Sequence, residues 1–237
     1  MKVREWLLAC VFPGRCPACD GILDPGLEGI CPSCREKLKI VEGVHCSRCG
    51  KFIENDEKEF CENCKNSPHF FEEGYGVFPY AGWVQESVVR FKFHGRAEYG
   101  KFYGKMMGVC SADRVGRWRP QVILPVPMYR GKKKRRGYNQ AEILAREAGK
   151  YLDIPVRTDL LFRVRNTKPQ KEMTPQKRRE NLKGAFRALP ECGNYERILL
   201  VDDIYTTGST MDAIAEILKQ QGTGKIYFLT ACTGSGF

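Results

Sequence analysis

Long apolar runs are missing from this sequence. Nothing in its 237 residues approaches the roughly 20 consecutive apolar residues that cross a bilayer, which excludes a spanning helix. An export signal is missing as well. Leu7-Leu8-Ala9-Cys10 resembles a lipoprotein cleavage site, but only Trp6 to Ala9 separates it from the charged stretch Lys2 to Glu5. A signal core needs about 7 to 15 apolar residues, so Trp6 to Phe12 reads instead as a short amphipathic helix. Acidic residues are scarce in one zone: Met128 to Arg187 holds 6 Asp and Glu against 18 Lys and Arg, whereas Met1 to Phe70 holds 11 against 10. The positive excess of a chain with net charge +11 therefore falls within sixty residues. Such a local field attracts polyanions or phosphates, or else is simply a solvated basic surface.

Cysteine is plentiful by contrast, at 12. Without an export signal, and with eight of the twelve in CxxC pairs, metal ligation in a reducing cytoplasm fits better than disulfides. The pairs are Cys16 and Cys19, Cys31 and Cys34, Cys46 and Cys49, and Cys61 and Cys64; shifting the first two pairs by thirty residues lands on the second two. Two such knuckles complete a closed four-thiolate shell, which suits structural zinc, although iron accepts similar ligands. Sequential pairing gives one ion Cys16, Cys19, Cys31 and Cys34 and the other Cys46, Cys49, Cys61 and Cys64. A crossed pairing of first with third knuckles stays open on spacing alone. His45 and His69 lie near the knuckles but have no ligand position to fill. Cys10, Cys110, Cys192 and Cys232 read as packing residues.

After Glu73 the knuckles stop and apolar runs alternate with helical patterns, giving a boundary between residues 1–73 and 74–237. Strands are expected at Val77 to Tyr80, Val122 to Val126, Ile198 to Val201 and Ile226 to Ala231. Helices are expected at Val84 to Phe93, Ala97 to Val109, Ala141 to Leu152 and Met211 to Lys219, with Val156 and Leu160 to Val164 extended. Strand, helix, strand at this spacing predicts an α/β fold with a parallel, doubly wound sheet, whose ligands gather at the carboxyl ends of the strands.

Within RILLVDDIYTTGST, Arg197 to Thr210, the apolar run would place Asp202 and Asp203 at such an end, with Thr206, Thr207, Gly208, Ser209 and Thr210 wrapping the start of the next helix. Backbone N–H groups and the helix dipole suit that turn to a phosphate. The two carboxylates suit the hydroxyls of an attached sugar or its metal ion. The plainer alternative is a hydroxyl residue capping a helix after polar strand-end residues. Gly95 to Phe102 matches GxxxxGK, but Phe102 has no hydroxyl for magnesium and a helical pattern precedes it, so a P-loop is rejected.

The complete string resembles the PRPP-binding signature of type I phosphoribosyltransferases. That resemblance implies that Asp202 and Asp203 hold ribose hydroxyls while Thr206 to Thr210 hold the 5-phosphate, with Mg2+ accompanying PRPP. Two basic segments, Arg130 to Arg136 after a strand and Arg165 to Phe186, then take the places of a pyrophosphate loop and a mobile arm, and Lys92, Arg135 and Arg136 become candidates to neutralise pyrophosphate. Adding FKFHG at Phe91 to Gly95, VPMYRGKKKRRGYNQAE, RNTKPQ…RRENLKGAF and the double CxxC repeat, most of the chain resembles the ComF family of competence-associated proteins. The resemblance implies a cytoplasmic role in natural transformation, handling single-stranded DNA beside a translocating helicase and reaching the inner face of the membrane only through partners. Lys132, Lys133, Lys134, Arg135, Arg136, Lys168, Arg178 and Arg179 are the DNA-contact candidates, with Tyr129, Tyr138 and Phe162 for stacking. The alternative is a working phosphoribosyltransferase acting on an acceptor that no sequence feature identifies; no catalytic residue is assigned.

Overall fold

The computed structural model describes residues 13–38, 40, 43–53, 57–167 and 175–234. The expected helix at Trp6 to Phe12 lies outside them. Each CxxC repeat folds alike. A small hairpin is pinned by an antiparallel bridge, Arg15 to Ile22 in the first and His45 to Phe52 in the second. A one-turn helix then carries the later knuckle, α1 (Pro32–Arg35) and α2 (Glu62–Asn66). The thirty-residue offset of the cysteines is thus also the offset of the structure.

Four parallel strands follow, in spatial order β1 (Glu73–Pro79), β6 (Lys225–Thr233), β5 (Arg197–Tyr205), β2 (Val122–Pro125). Ile198 to Val201 are fully buried, as an inner parallel strand covered on both faces requires. Successive residues serve opposite layers. Leu199 and Val201 join the cluster formed with α3 (Gly82–Phe93), α4 (Tyr99–Trp118) and α6 (Gln140–Leu152), while Ile198 and Leu200 join the cluster of α8 (Ser209–Gln220). The sheet is doubly wound, as the sequence predicts.

The two ribbons divide between those layers. Cys16, Ala18, Leu23 and Ile30 pack in the α3–α4 layer, and Cys46, Cys49, Ile53 and Cys64 in the α8 layer. Gly100, Gly104 and Gly108 form a stripe along α4 against α6; a Cβ on Gly104 would lie 2.4 Å from Glu147 Cβ. The rejected GxxxxGK therefore contains a packing glycine, Gly100, inside a helix. The expected extended stretch Leu160 to Val164 lies outside the main sheet, as β3 (Leu161–Arg163) paired antiparallel with β4 (Phe186–Ala188).

Two expectations are corrected. The strand at Ile198 does not end at Val201 but continues to Tyr205, because β5 keeps pairing with β6 through Asp202, Ile204 and Tyr205. Asp202 and Asp203 therefore lie within the strand, shortly before its carboxyl end at Tyr205. The basic segment Arg130 to Arg136 is a helix, α5, closed by Gly137 in the left-handed region at φ 88°.

Candidate functional site

Strand β5 delivers Asp202 and Asp203 to one end of the sheet and then turns at Thr206 and Thr207 into α8. Gly208 occupies the N-cap with φ 82°, and no side chain caps the helix, so the plain helix-cap reading of this turn does not hold. The hydroxyls of Thr207 and Ser209 lie 3.0 Å apart across the turn. A small cavity opens here, lined by Asp202, Ile204 and residues 205–211.

One cation contacts the acid pair directly, and two more, from separate segments, lie within reach of its charge. Lys92, next to last in α3, places Nζ 2.8 Å from Asp203 Oδ1. Its position is set by the GYNQ segment: Tyr138 Oη donates to the Phe91 carbonyl, and the two rings stack with centroids 5.9 Å apart. Burial alone would lower the Lys92 ammonium, but the charge of Asp203 and the hydrogen bond to it outweigh burial and hold it above its usual range. Arg136, from α5, feels the charge of Asp203; its guanidinium donates to Gln140 Oε1 at 2.6 Å and lies 4.9 Å from the Phe93 ring centroid. Arg163, from β3, is lowered by burial and held up by Asp202. Burial, and then the charge of Asp203, push the Asp202 carboxyl up to about 7, while the Asp203 backbone amide, Lys92 and Arg163 pull it back.

The remaining candidates separate. Lys132 is half-buried and donates to the Thr167 carbonyl at 3.3 Å, tying α5 to the start of the arm. Lys133 pairs with Glu142 at 2.9 Å, whereas Lys134 and Arg135 are exposed. Lys168 lies outside the described residues; Arg178 and Arg179 belong to α7 (Pro175–Leu182), and their side chains are outside the description. A cavity of about 510 Å³ opens beside the site, its wall including Met128, Tyr129, Arg130, Phe162, Arg163 and Arg187. Tyr138, expected to stack on bases, instead packs inside on Phe91.

Sequence reasoning did not find Arg163, Asn63 or His69. Arg163 lies just before the segment assigned to the arm; it donates to Thr167 Oγ1 and covers the Phe186 ring, within reach of the charge of Asp202. Asn63, inside the CENC knuckle, donates Nδ2 to the Thr207 carbonyl at 3.3 Å. His69 donates Nδ1–H to Asp212 Oδ2 at 2.9 Å, in the first turn of α8. Neither histidine beside the knuckles joins a four-cysteine group.

The cysteines gather as two groups, Cys16, Cys19, Cys31 and Cys34, and Cys46, Cys49, Cys61 and Cys64, with each group's sulfurs within 4.8 Å of one another. This is the sequential pairing and not the crossed one. Sulfurs on a zinc tetrahedron with bonds near 2.3 Å stand about 3.8 Å apart. Cys19 Sγ and Cys31 Sγ are 3.9 Å apart, and Cys49 Sγ and Cys61 Sγ 3.6 Å. The two groups fit two structural zinc ions, each enclosed by four thiolates with no position left for water.

These features define a class: a double zinc ribbon joined to a phosphoribosyltransferase-type sheet. The family models agree, a double zinc ribbon domain matching residues 7–65 and a phosphoribosyl transferase domain residues 134–235. Competence protein F of Haemophilus influenzae is 31% identical over 91% of this chain and 95% of its own. DNA utilization protein YhgH of Escherichia coli O157:H7 is 30% identical over 93% and 97%, and Competence protein ComFC of Bacillus subtilis 30% over 82% and 80%. The chain belongs to the family of Competence protein F and ComFC. No helix among the described residues is long and apolar enough to cross a membrane.

Proposed function

We propose that this chain binds PRPP, or a closely related ribose phosphate, with Mg2+ at residues 202–210, and handles single-stranded DNA through its basic surface during DNA uptake. The observation that carries the reading is the Lys92–Asp203 ion pair, with Arg136 and Arg163 within reach of the same acids' charge, beside a glycine-led helix start. Ribose hydroxyls and a magnesium ion suit Asp202 and Asp203; the 5-phosphate suits the backbone of the 206–210 turn. Asp202 and Asp203 would hold the magnesium ion, which would supply charge neutralisation, and Lys92, Arg136 and Arg163 would offset the remaining charge, with Arg135 at the rim. The relatives' names, competence and DNA utilization, support the DNA role; a cytoplasmic place beside a DNA-translocating helicase and a division of labour between residues 1–73 and 74–237 are part of the same proposal.

Calorimetric titration with PRPP and Mg2+ tests the first part. Wild type is expected to bind, and Asp203→Asn to bind at least about tenfold more weakly, as for loss of a charged hydrogen-bonding group. Equal affinities would remove the sugar assignment. Pentosyl transfer is the second reading, favoured by the cavity of about 510 Å³ beside Arg163, which offers an acceptor the space that the sequence does not reveal. Catalysis there would consist of positioning and electrostatic stabilisation of departing pyrophosphate. Pyrophosphate release assayed across bases, amines and single-stranded DNA distinguishes the readings; silence with PRPP bound leaves the binding function.

A further inference from the structure

The two ribbons do not stand in the same relation to the ligand turn. The polar contacts of the first reach α3 and its neighbours: the Ala18 carbonyl accepts from Arg90 at 2.9 Å, and Asp20 pairs with Arg96 and accepts from the Tyr99 hydroxyl. The second ribbon and the segment just after it lie against the turn itself. Asn63, flanked by metal-site cysteines, holds the Thr207 carbonyl. His69, whose side chain is fully buried, holds Asp212 through Nδ1, and the Phe70 N–H donates to the other carboxylate oxygen of Asp212 at 3.1 Å. A Cβ on Gly208 would come within 3.3 Å of His69 Cε1 and 2.8 Å of Tyr205 Oη. Tyr205, the last residue of β5, stacks on Phe228 at 4.6 Å and meets Phe71 edge-on at 6.3 Å. The turn is thus buttressed on its inner side by residues 63–71.

We propose that the second four-cysteine centre is coupled to the 206–210 turn: metal held by Cys46, Cys49, Cys61 and Cys64 fixes Asn63 and His69, and these two position the turn for its ligand. The first centre has no such role. Asn63 and His69 are positioning residues, acting through the Thr207 carbonyl and the Asp212 carboxylate. The functional consequence rests on the sugar-phosphate reading given above, whereas the mechanical coupling does not. By thermodynamic reciprocity, a ligand that favours the ordered turn must also favour metal retention at the second centre.

Hydrogen exchange of the full-length, zinc-loaded chain tests the coupling without any ligand. Cys61→Ser is expected to speed amide exchange at residues 206–212 about tenfold, while Cys31→Ser leaves it unchanged. Asn63→Ala and His69→Ala should speed it while still holding two zinc ions per chain. His69→Asn, which keeps a donor near the place of Nδ1, should restore protection, an outcome that general loosening would not produce. Unchanged exchange in Cys61→Ser, or equal acceleration in Cys31→Ser, overturns the proposal. Equilibrium competition for zinc with a chromogenic chelator provides the second arm: saturating PRPP with Mg2+ should raise the zinc affinity of one of the two sites about tenfold. If PRPP binds and both sites keep unaltered zinc affinities, the coupling is refuted. If wild type does not bind PRPP at all, the ligand assignment fails, and the exchange result alone decides the coupling.

Discussion

Lys92 and Asp203 form an ion pair at 2.8 Å in which both side chains are largely withdrawn from solvent, 21% and 15% exposed. Asp202 adjoins the pair, so the lysine is the closest neutralising charge for two acids. Removing one member of a buried pair leaves the other uncompensated, which costs more than the pair contributes. Lys92→Ala is therefore expected to lower stability by about 2 kcal/mol in urea unfolding. The double variant Lys92→Met with Asp203→Asn should recover most of that loss, since no uncompensated partner remains.

The Asp202 carboxyl, pushed up to about 7 by burial and then by Asp203, makes stability depend on pH. A raised carboxyl favours the protonated form in the folded chain, so its contribution is full below the ordinary value of 3.8 and is lost as pH rises to about 7. Asp202→Asn should remove this decline. Relative to wild type it should gain on the order of 1–2 kcal/mol at pH 8 and nothing at pH 4, read from denaturation midpoints.

Two glycines of α4 should respond to alanine in opposite directions. At Gly104 the new Cβ meets Glu147 Cβ at 2.4 Å and the Leu144 carbonyl at 3.0 Å, forcing α4 and α6 apart. A loss of about 1–3 kcal/mol is expected. At Gly116 there is open space, and Gly116→Ala should gain about 0.5–1 kcal/mol from helix propensity. Thermal unfolding of the two variants checks both signs.

Within α5 the cations should contribute unequally to single-stranded DNA affinity. Lys134→Ala and Arg135→Ala should each flatten the salt dependence by about 0.7 of a logarithmic unit, as for one lost phosphate contact. Lys133→Ala should do less, because Glu142 already holds that ammonium. Slopes unchanged from wild type in all three variants would place the DNA path elsewhere.

How far these features could be read in advance depended on how local their causes are. Ile198 to Val201 is a continuous apolar run, and a strand buried on both faces leaves that trace. The four-cysteine groups follow from knuckle spacing, which a metal tetrahedron dictates. Where β5 ends was not legible, because pairing with β6 carries Asp202 and Asp203 past the last apolar residue. The helix at Arg130 to Arg136 was hidden by like charge, although Gly137 is the kind of residue that closes a helix. Asn63 and His69 reach the site by contacts spanning 144 and 143 residues, and no local pattern records such contacts.

The glycine stripe and the inner strands concern the finished molecule; the placement of the ribbons on opposite faces of the sheet concerns how it is made. The last knuckle ends at Cys64, whereas β5 and β6, against which the second ribbon packs, begin at Arg197 and Lys225. At a synthesis rate of about 5–20 residues per second, roughly 7 to 30 seconds separate the knuckle from its packing partners. Throughout that interval Cys46, Cys49 and Cys64 lack the apolar cover they later share with Tyr205, Met211 and Phe228. The ligands of both ribbons are thus complete before the surface that will enclose them, and the sheet closes against units whose metal sites are already fully synthesised.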